Sequence, residues 1–131
     1  MIVDTSAFVT ISFEEDGYLD YLNVLRSTNL VLVPTSVILE ATMVLKSRMD
    51  LMAVNEFTRF VDNLGATIIS FTPRMATLAQ DAFLKYGKGQ GHPAQLNFGD
   101  CMVYAAAKAE GAPLLYVGDD FAYTDIESAV G

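Results

Sequence analysis

The chain alternates short, largely apolar runs with longer stretches of helical periodicity, and few folds accommodate that order. Ile2-Val3, Leu30 to Val33, Thr67 to Phe71 and Leu114 to Val117 have the length and composition of strands. Helical segments separate them, and such alternation predicts α/β: a three-layer α/β/α sandwich around a central parallel sheet. Leu30 to Val33 is wholly apolar, as in a strand buried on both faces of a parallel sheet. No repeat, linker or low-complexity tract interrupts the sequence, so residues 1–131 are expected to form a single domain.

Local signals set the helices. Residues 6–12 read as a short helix, and Glu14-Glu15-Asp16 place acid at the start of the next, which carries Tyr18, Leu22 and Leu25 on one face. Pro34-Thr35-Ser36 closes the second strand and caps a helix through Met49, with Val37, Ile38, Ala41, Val44 and Leu45 as its apolar stripe. Residues 52–64 form a further helix stopped by Gly65. Thr72-Pro73 is a cap followed by proline at the first helical position; the helix it opens shows Met75, Ala79, Ala82, Phe83 and Tyr86 on one face and ends at Gly87. Residues 87–97 make one long loop, and Asn97 caps a helix over 98–110 that Gly111 ends. A short final strand falls near 126–129.

Composition narrows the function. The lone cysteine, Cys101, excludes an intrachain disulfide, and Met1-Ile2-Val3-Asp4 lacks the basic start of a signal peptide, so a cytoplasmic protein is expected. No apolar run approaches the ~20 residues of a membrane span. The net charge of −8 argues against general electrostatic binding to nucleic acid. It leaves open a concentration of acid in a metal pocket, or a basic partner.

Ligands of open parallel sheets bind beyond the carboxyl ends of the strands. Asp4 ends the first strand, and Asp119 and Asp120 end the fourth. Glu40 falls at the margin of the apolar stripe of its helix, and Asp100 lies in the first turn of helix 98–110. Each acid has a structural role open to it: a cap for Asp4, a dipole-favoured first turn for Asp100, a plain turn for Asp119 and Asp120. Together they suggest three or four carboxylates around one pocket. Such carboxylates repel one another, and a divalent cation removes the conflict. Oxygen donors without histidine or cysteine select a hard ion, Mg²⁺ or Mn²⁺, which can activate water and stabilise charge on a phosphodiester. No catalytic histidine is required, and only His92 is present.

The opening Met1-Ile2-Val3-Asp4-Thr5-Ser6-Ala7 resembles that of PIN-domain proteins, especially VapC toxins. So do Tyr86-Gly87-Lys88-Gly89, His92-Pro93-Ala94, Leu96-Asn97-Phe98-Gly99-Asp100-Cys101 and the run from Pro113 to Phe121, followed by Thr124-Asp125-Ile126. The resemblance spans essentially the whole chain. It implies a metal-dependent endoribonuclease that uses Mg²⁺ or Mn²⁺ on structured RNA such as tRNA or rRNA. It implies that Asp4 and Asp100 ligate the metal, and that Glu40 holds a metal-bound water or a second ion. The family's fourth acid falls in the Gly118-to-Phe121 turn. It is assigned to Asp120, directly before the phenylalanine, with Asp119 in a variable slot. Thr5 and Ser6 are expected to orient carboxylates or waters, and Asn97 to steady the segment carrying Asp100. Val117 departs from the pattern, since relatives often carry lysine there, and this removes a phosphate contact. Arg26, Lys46, Arg48, Lys85 and Lys88 are left as candidate RNA contacts. The resemblance also implies a VapB-like antitoxin whose basic tail covers the carboxylates, and a homodimer.

Rival α/β families fit less well. A phosphate receiver wants an acid pair after the first strand and a late lysine; a haloacid-dehalogenase-type phosphatase wants a second aspartate where Ser6 stands. A PIN fold kept as a non-catalytic binding module, or a PIN ribonuclease outside a toxin–antitoxin pair, are the alternatives.

Overall fold

In the computed structural model, which describes residues 1–130, four parallel strands carry the fold: β1 (Ile2–Val3), β2 (Leu32–Pro34), β3 (Thr67–Ile69) and β4 (Leu114–Leu115). Their order is β3-β2-β1-β4, with Ile2 level with both Leu32 and Leu114. Six helices flank the sheet: α1 (Thr5–Ser12), α2 (Tyr18–Ser27), α3 (Thr35–Arg48), α4 (Leu51–Asn63), α5 (Pro73–Tyr86) and α6 (Phe98–Glu110). This is the α/β sandwich with a parallel sheet that the alternation predicts.

The strand order positions the site. The chain builds outward from β1 to β2 and β3, then returns to place β4 on the other side of β1. The direction of winding therefore reverses between β1 and β4, and a crevice opens at their carboxyl ends. Asp4 N donates to Leu115 O at 2.9 Å, closing the ladder at that edge. The core beneath is dry: Ile2, Val3, Val33, Leu114 and Leu115 have no exposed surface. Ala105, Ala106 and Ala107 are also buried, and their small side chains let α6 approach β1 closely.

Several boundaries differ from expectation, each for a local reason. The first helix starts at Thr5, because Asp4 itself is the N-cap and accepts from Ser6 N. Glu14-Glu15-Asp16 lie in the preceding turn; Gly17, at φ +83°, reverses the chain and α2 starts at Tyr18. Leu30 is 58% exposed, and β2 starts at Leu32 and includes Pro34. Pro34 offers no side-chain cap to α3. The third strand stops at Ile69 and is an exposed edge. Phe83, expected on a buried face, is 41% exposed. The final strand reduces to one bridge, between Leu114 and Ser128. The other caps form as their sequence signals predict: Thr72 accepts from Met75 N at 3.2 Å, and Asn97 caps α6.

Candidate active site

Asp4 is 6% exposed at the junction of β1 and α1. One carboxylate oxygen, Oδ2, accepts from Ser6 N at 3.1 Å and from the Ser6 hydroxyl. The same hydroxyl accepts from Val117 N at 3.0 Å, so Ser6 ties the ends of β1 and β4 together. Burial pushes the Asp4 carboxyl up to about 6 against the pull of these hydrogen bonds, and the charge of Glu40 adds to the rise.

Asp100 occupies the first turn of α6 in a reciprocal cap. Its backbone N donates to Asn97 Oδ1 at 2.9 Å, and its Oδ2 accepts from Asn97 N at 3.1 Å. That fixes the side chain over the helix start. Burial raises its carboxyl to about 7; the Asn97 N–H opposes this, and the charges of Asp4, Asp120 and Glu40 reinforce it. These repulsions link four carboxylates from four distant parts of the sequence around one crevice. Asp119 and Asp120 are both exposed in the turn after β4, and the charge of Asp120 is among those that raise Asp100.

Glu40 reaches the crevice from α3. A methyl group at Gly99 would fall 2.6 Å from its Oε2, so glycine at 99 leaves room for the Glu40 carboxylate in this position, and a larger residue would push it aside. Sequence reasoning overlooked Gly99. The available signal was a glycine in the first turn of a helix, where it costs about 1 kcal/mol relative to alanine. Gly99→Ala should therefore leave the melting temperature unchanged or slightly higher while displacing the Glu40 carboxylate. Cleavage of RNA by this variant is expected to fall by about tenfold or more. A variant as active as the parent would show that the Glu40 position is immaterial.

Thr5 is buried, and its hydroxyl has no partner among the described residues. Next to Asp4, it is a donor and acceptor left for a water. The turn after β4 is held from the other side: Tyr104 of α6 donates to Asp125 Oδ1 at 2.6 Å, and Lys108 pairs with Asp125 Oδ2 at 2.5 Å. This brace was not read from the sequence. It anchors the segment that carries Asp119 and Asp120 onto the same helix that carries Asp100. His92 stands edge-on to Tyr86 with ring centres 4.8 Å apart, and its Nδ1 accepts from Ala94 N. Cys101 is a buried packing residue whose thiol is pushed up by burial and then by Asp100.

The donor set suits a hard divalent cation. It offers only oxygen, and buried carboxylates that repel one another need a compensating charge. Among the described residues no three of His, Cys, Asp and Glu are close enough to enclose an ion by themselves. An ion here would be held by fewer than three of these side chains, with water completing its shell, a coordination that Mg²⁺ accepts.

Known proteins resolve the family. Residues 1–127 match the PIN domain. Ribonuclease VapC36 of Mycobacterium tuberculosis is 41% identical over 128 residues, covering 97% of this chain and 91% of the relative. Ribonuclease VapC28 of the same organism is 36% identical over 130 residues, 99% of this chain and 98% of the relative. M. tuberculosis VapC20, a toxin that cleaves the sarcin–ricin loop, shares the fold with a TM-score of 0.78 at 16% identity over 95% of each chain. VapBC2 from Rickettsia felis, solved with a DNA fragment from its promoter, gives a TM-score of 0.70 at 19% identity, over 92% of this chain and 88% of the other. The chain belongs to the PIN-domain family, within its VapC ribonuclease branch.

Proposed function

We propose that this chain is a Mg²⁺- or Mn²⁺-dependent endoribonuclease toxin that hydrolyses phosphodiester bonds of structured RNA, tRNA or rRNA. The observation that carries it is the crevice at the carboxyl ends of β1 and β4, where Asp4 and Asp100 are partly desolvated, the Glu40 carboxylate lies against Gly99, and the charge of Asp120 acts on Asp100. When bound, the ion supplies Lewis acidity toward the phosphodiester and lowers the pKa of water in its shell. Asp4 and Asp100 hold the ion. Glu40 orients the attacking water and takes its proton, and Asp120 adds charge at the rim. Ser6 keeps Asp4 in its rotamer, Asn97 does the same for Asp100, and the unpartnered Thr5 hydroxyl positions water beside Asp4. Asp119 is a turn residue with a supporting role at most. Hydrolysis breaks one P–O bond, with water supplying the new oxygen and a proton leaving with the departing ribose hydroxyl.

The same reading assigns a VapB-like antitoxin as partner. The net charge of −8 suits a basic tail laid over the carboxylates. It also assigns a cytoplasmic homodimer of single-domain subunits, and no helix is long and apolar enough to cross a membrane among the described residues. To test the activity, purified protein freed of antitoxin is incubated with mixed tRNA and rRNA in Mg²⁺, Mn²⁺ or EDTA. Discrete fragments that require the ion are expected. Intact RNA under every ion, with the protein folded, would favour a PIN fold kept only for binding.

A further inference from the structure

The helix that carries Asp100 carries two further polar side chains on the same face. Asp100, Tyr104 and Lys108 follow one another at four-residue spacing, each step about 6 Å along α6. The second and third hold Asp125: Tyr104 donates to its Oδ1 at 2.6 Å, and Lys108 pairs with its Oδ2 at 2.5 Å. Tyr104 is buried, and its ring lies against that of Tyr86 with centres 5.7 Å apart, so the donor itself is held in place. Desolvation raises the Asp125 carboxyl, but Lys108 and Tyr104 outweigh it and leave the group below its ordinary value. The two oxygens of one ionised carboxylate are thus fixed on successive turns of α6, which sets both the position and the direction of the segment that bears it.

That segment is bonded to itself as one piece. Ala122 N donates to Asp119 O at 3.0 Å, and the backbone N and the hydroxyl of Thr124 both donate to Phe121 O, at 3.0 and 2.7 Å. Phe121 is buried against the Tyr116 ring. The piece leaves β4 through Gly118, at φ +97°, where the backbone is free to swivel. Its angle to the sheet is therefore set by what grips its far end, and that grip is on Asp125. Closing the fold does not require it: Leu114 N to Glu127 O and Ala129 N to Leu114 O, each 2.9 Å, already return the chain to β4 beyond the turn. What the grip does direct is Asp120, whose charge acts on Asp100, one turn before Tyr104 on the same face of α6. We propose that Tyr104 and Lys108, acting through Asp125, are positioning residues that hold the Asp120 carboxylate toward Asp100. The proposal rests on the ribonuclease reading and names side chains outside the crevice on which that site depends.

The test is a pair of double-mutant cycles, Tyr104→Phe and Asp125→Ala each combined with Asp120→Asn, read in Mn²⁺ affinity by calorimetry and in single-turnover RNA cleavage. Tyr104→Phe removes one oxygen and keeps the ring, and Asp125 is half-exposed, so both variants keep the core intact. Each should weaken Mn²⁺ binding and slow cleavage by about tenfold, and by no more than Asp120→Asn does. Added to Asp120→Asn, neither should cost anything further. In metal-free protein the backbone order parameters of Asp119 to Ala122 should fall from about 0.85 to below about 0.6 in both variants, while those of β4 hold. Parental Mn²⁺ affinity in both variants, losses that multiply with that of Asp120→Asn, or a turn as ordered as in the parent would each overturn the positioning role. A non-additive cycle in Mn²⁺ affinity, in a parent that cleaves no RNA, would uphold the positioning role and overturn the catalytic reading instead.

Discussion

Asp4→Asn should abolish RNA cleavage and at the same time make the metal-free protein more stable. Both effects follow from where Asp4 sits. It is 6% exposed, and burial holds its carboxyl up at about 6. At neutral pH the ionised form is therefore a burden on the fold, on the order of 2–3 kcal/mol for a rise of this size. Asparagine removes the charge yet keeps an oxygen to accept from Ser6 N, and it caps a helix as well as aspartate does. The melting temperature of the metal-free variant at neutral pH should rise by several degrees. Cleavage should fall by about 100-fold or more, since changes merely supporting a metal ligand already cost ten- to hundredfold. A variant that loses activity by losing stability would show instead that Asp4 serves the fold alone.

The second large effect is a crossing of pH and metal. Asp4 and Asp100 are raised from 3.8 to about 6 and about 7. A carboxyl with a raised folded-state pKa stabilises the fold fully only below its unfolded value, and that contribution is lost as pH rises through the folded value. Without metal, stability should therefore decline from about pH 4 to about pH 7 from these two groups, then level. A divalent cation binds the ionised carboxylates, so its stabilisation should grow over the same window. Thermal melts with millimolar Mn²⁺ should show an upward shift of several degrees near pH 8 and little near pH 5. An equal shift at both pH values would point to ion binding elsewhere on this acidic chain.

Much of this was legible because the signals are local. A strand ending in Asp4, the Thr72-Pro73 start of α5 and the Asn97 cap of α6 each act within four residues, and each forms as read. The parallel sheet follows from the alternation of strands and helices. What stayed hidden is long-range. Nothing beside Glu40 in the sequence says that it meets Gly99 across the α3–α6 contact, and nothing near Ser6 says that it binds Val117 N. The Val117 side chain reads as a lost lysine, while its backbone joins the two strand ends. Apolar periodicity also misplaced Phe83, because a stripe facing an open cavity looks the same as one facing a filled core. The acidic run at Glu14 to Asp16 looked like a helix start, but Gly17 takes the left-handed turn and delays the helix.

The carboxylate crevice as the catalytic centre is tested most directly by single-turnover RNA cleavage in saturating Mn²⁺. The parent is compared with Asp100→Asn, Asp120→Asn and Asp119→Asn, with a melting temperature for each. Asp100→Asn should fall by about 100-fold or more and Asp120→Asn by about tenfold or more. Asp119→Asn, a change in the exposed turn beside Asp120, should cleave like the parent. Cleavage at the parental rate by folded Asp100→Asn would contradict the assignment and place the chemistry elsewhere on the chain.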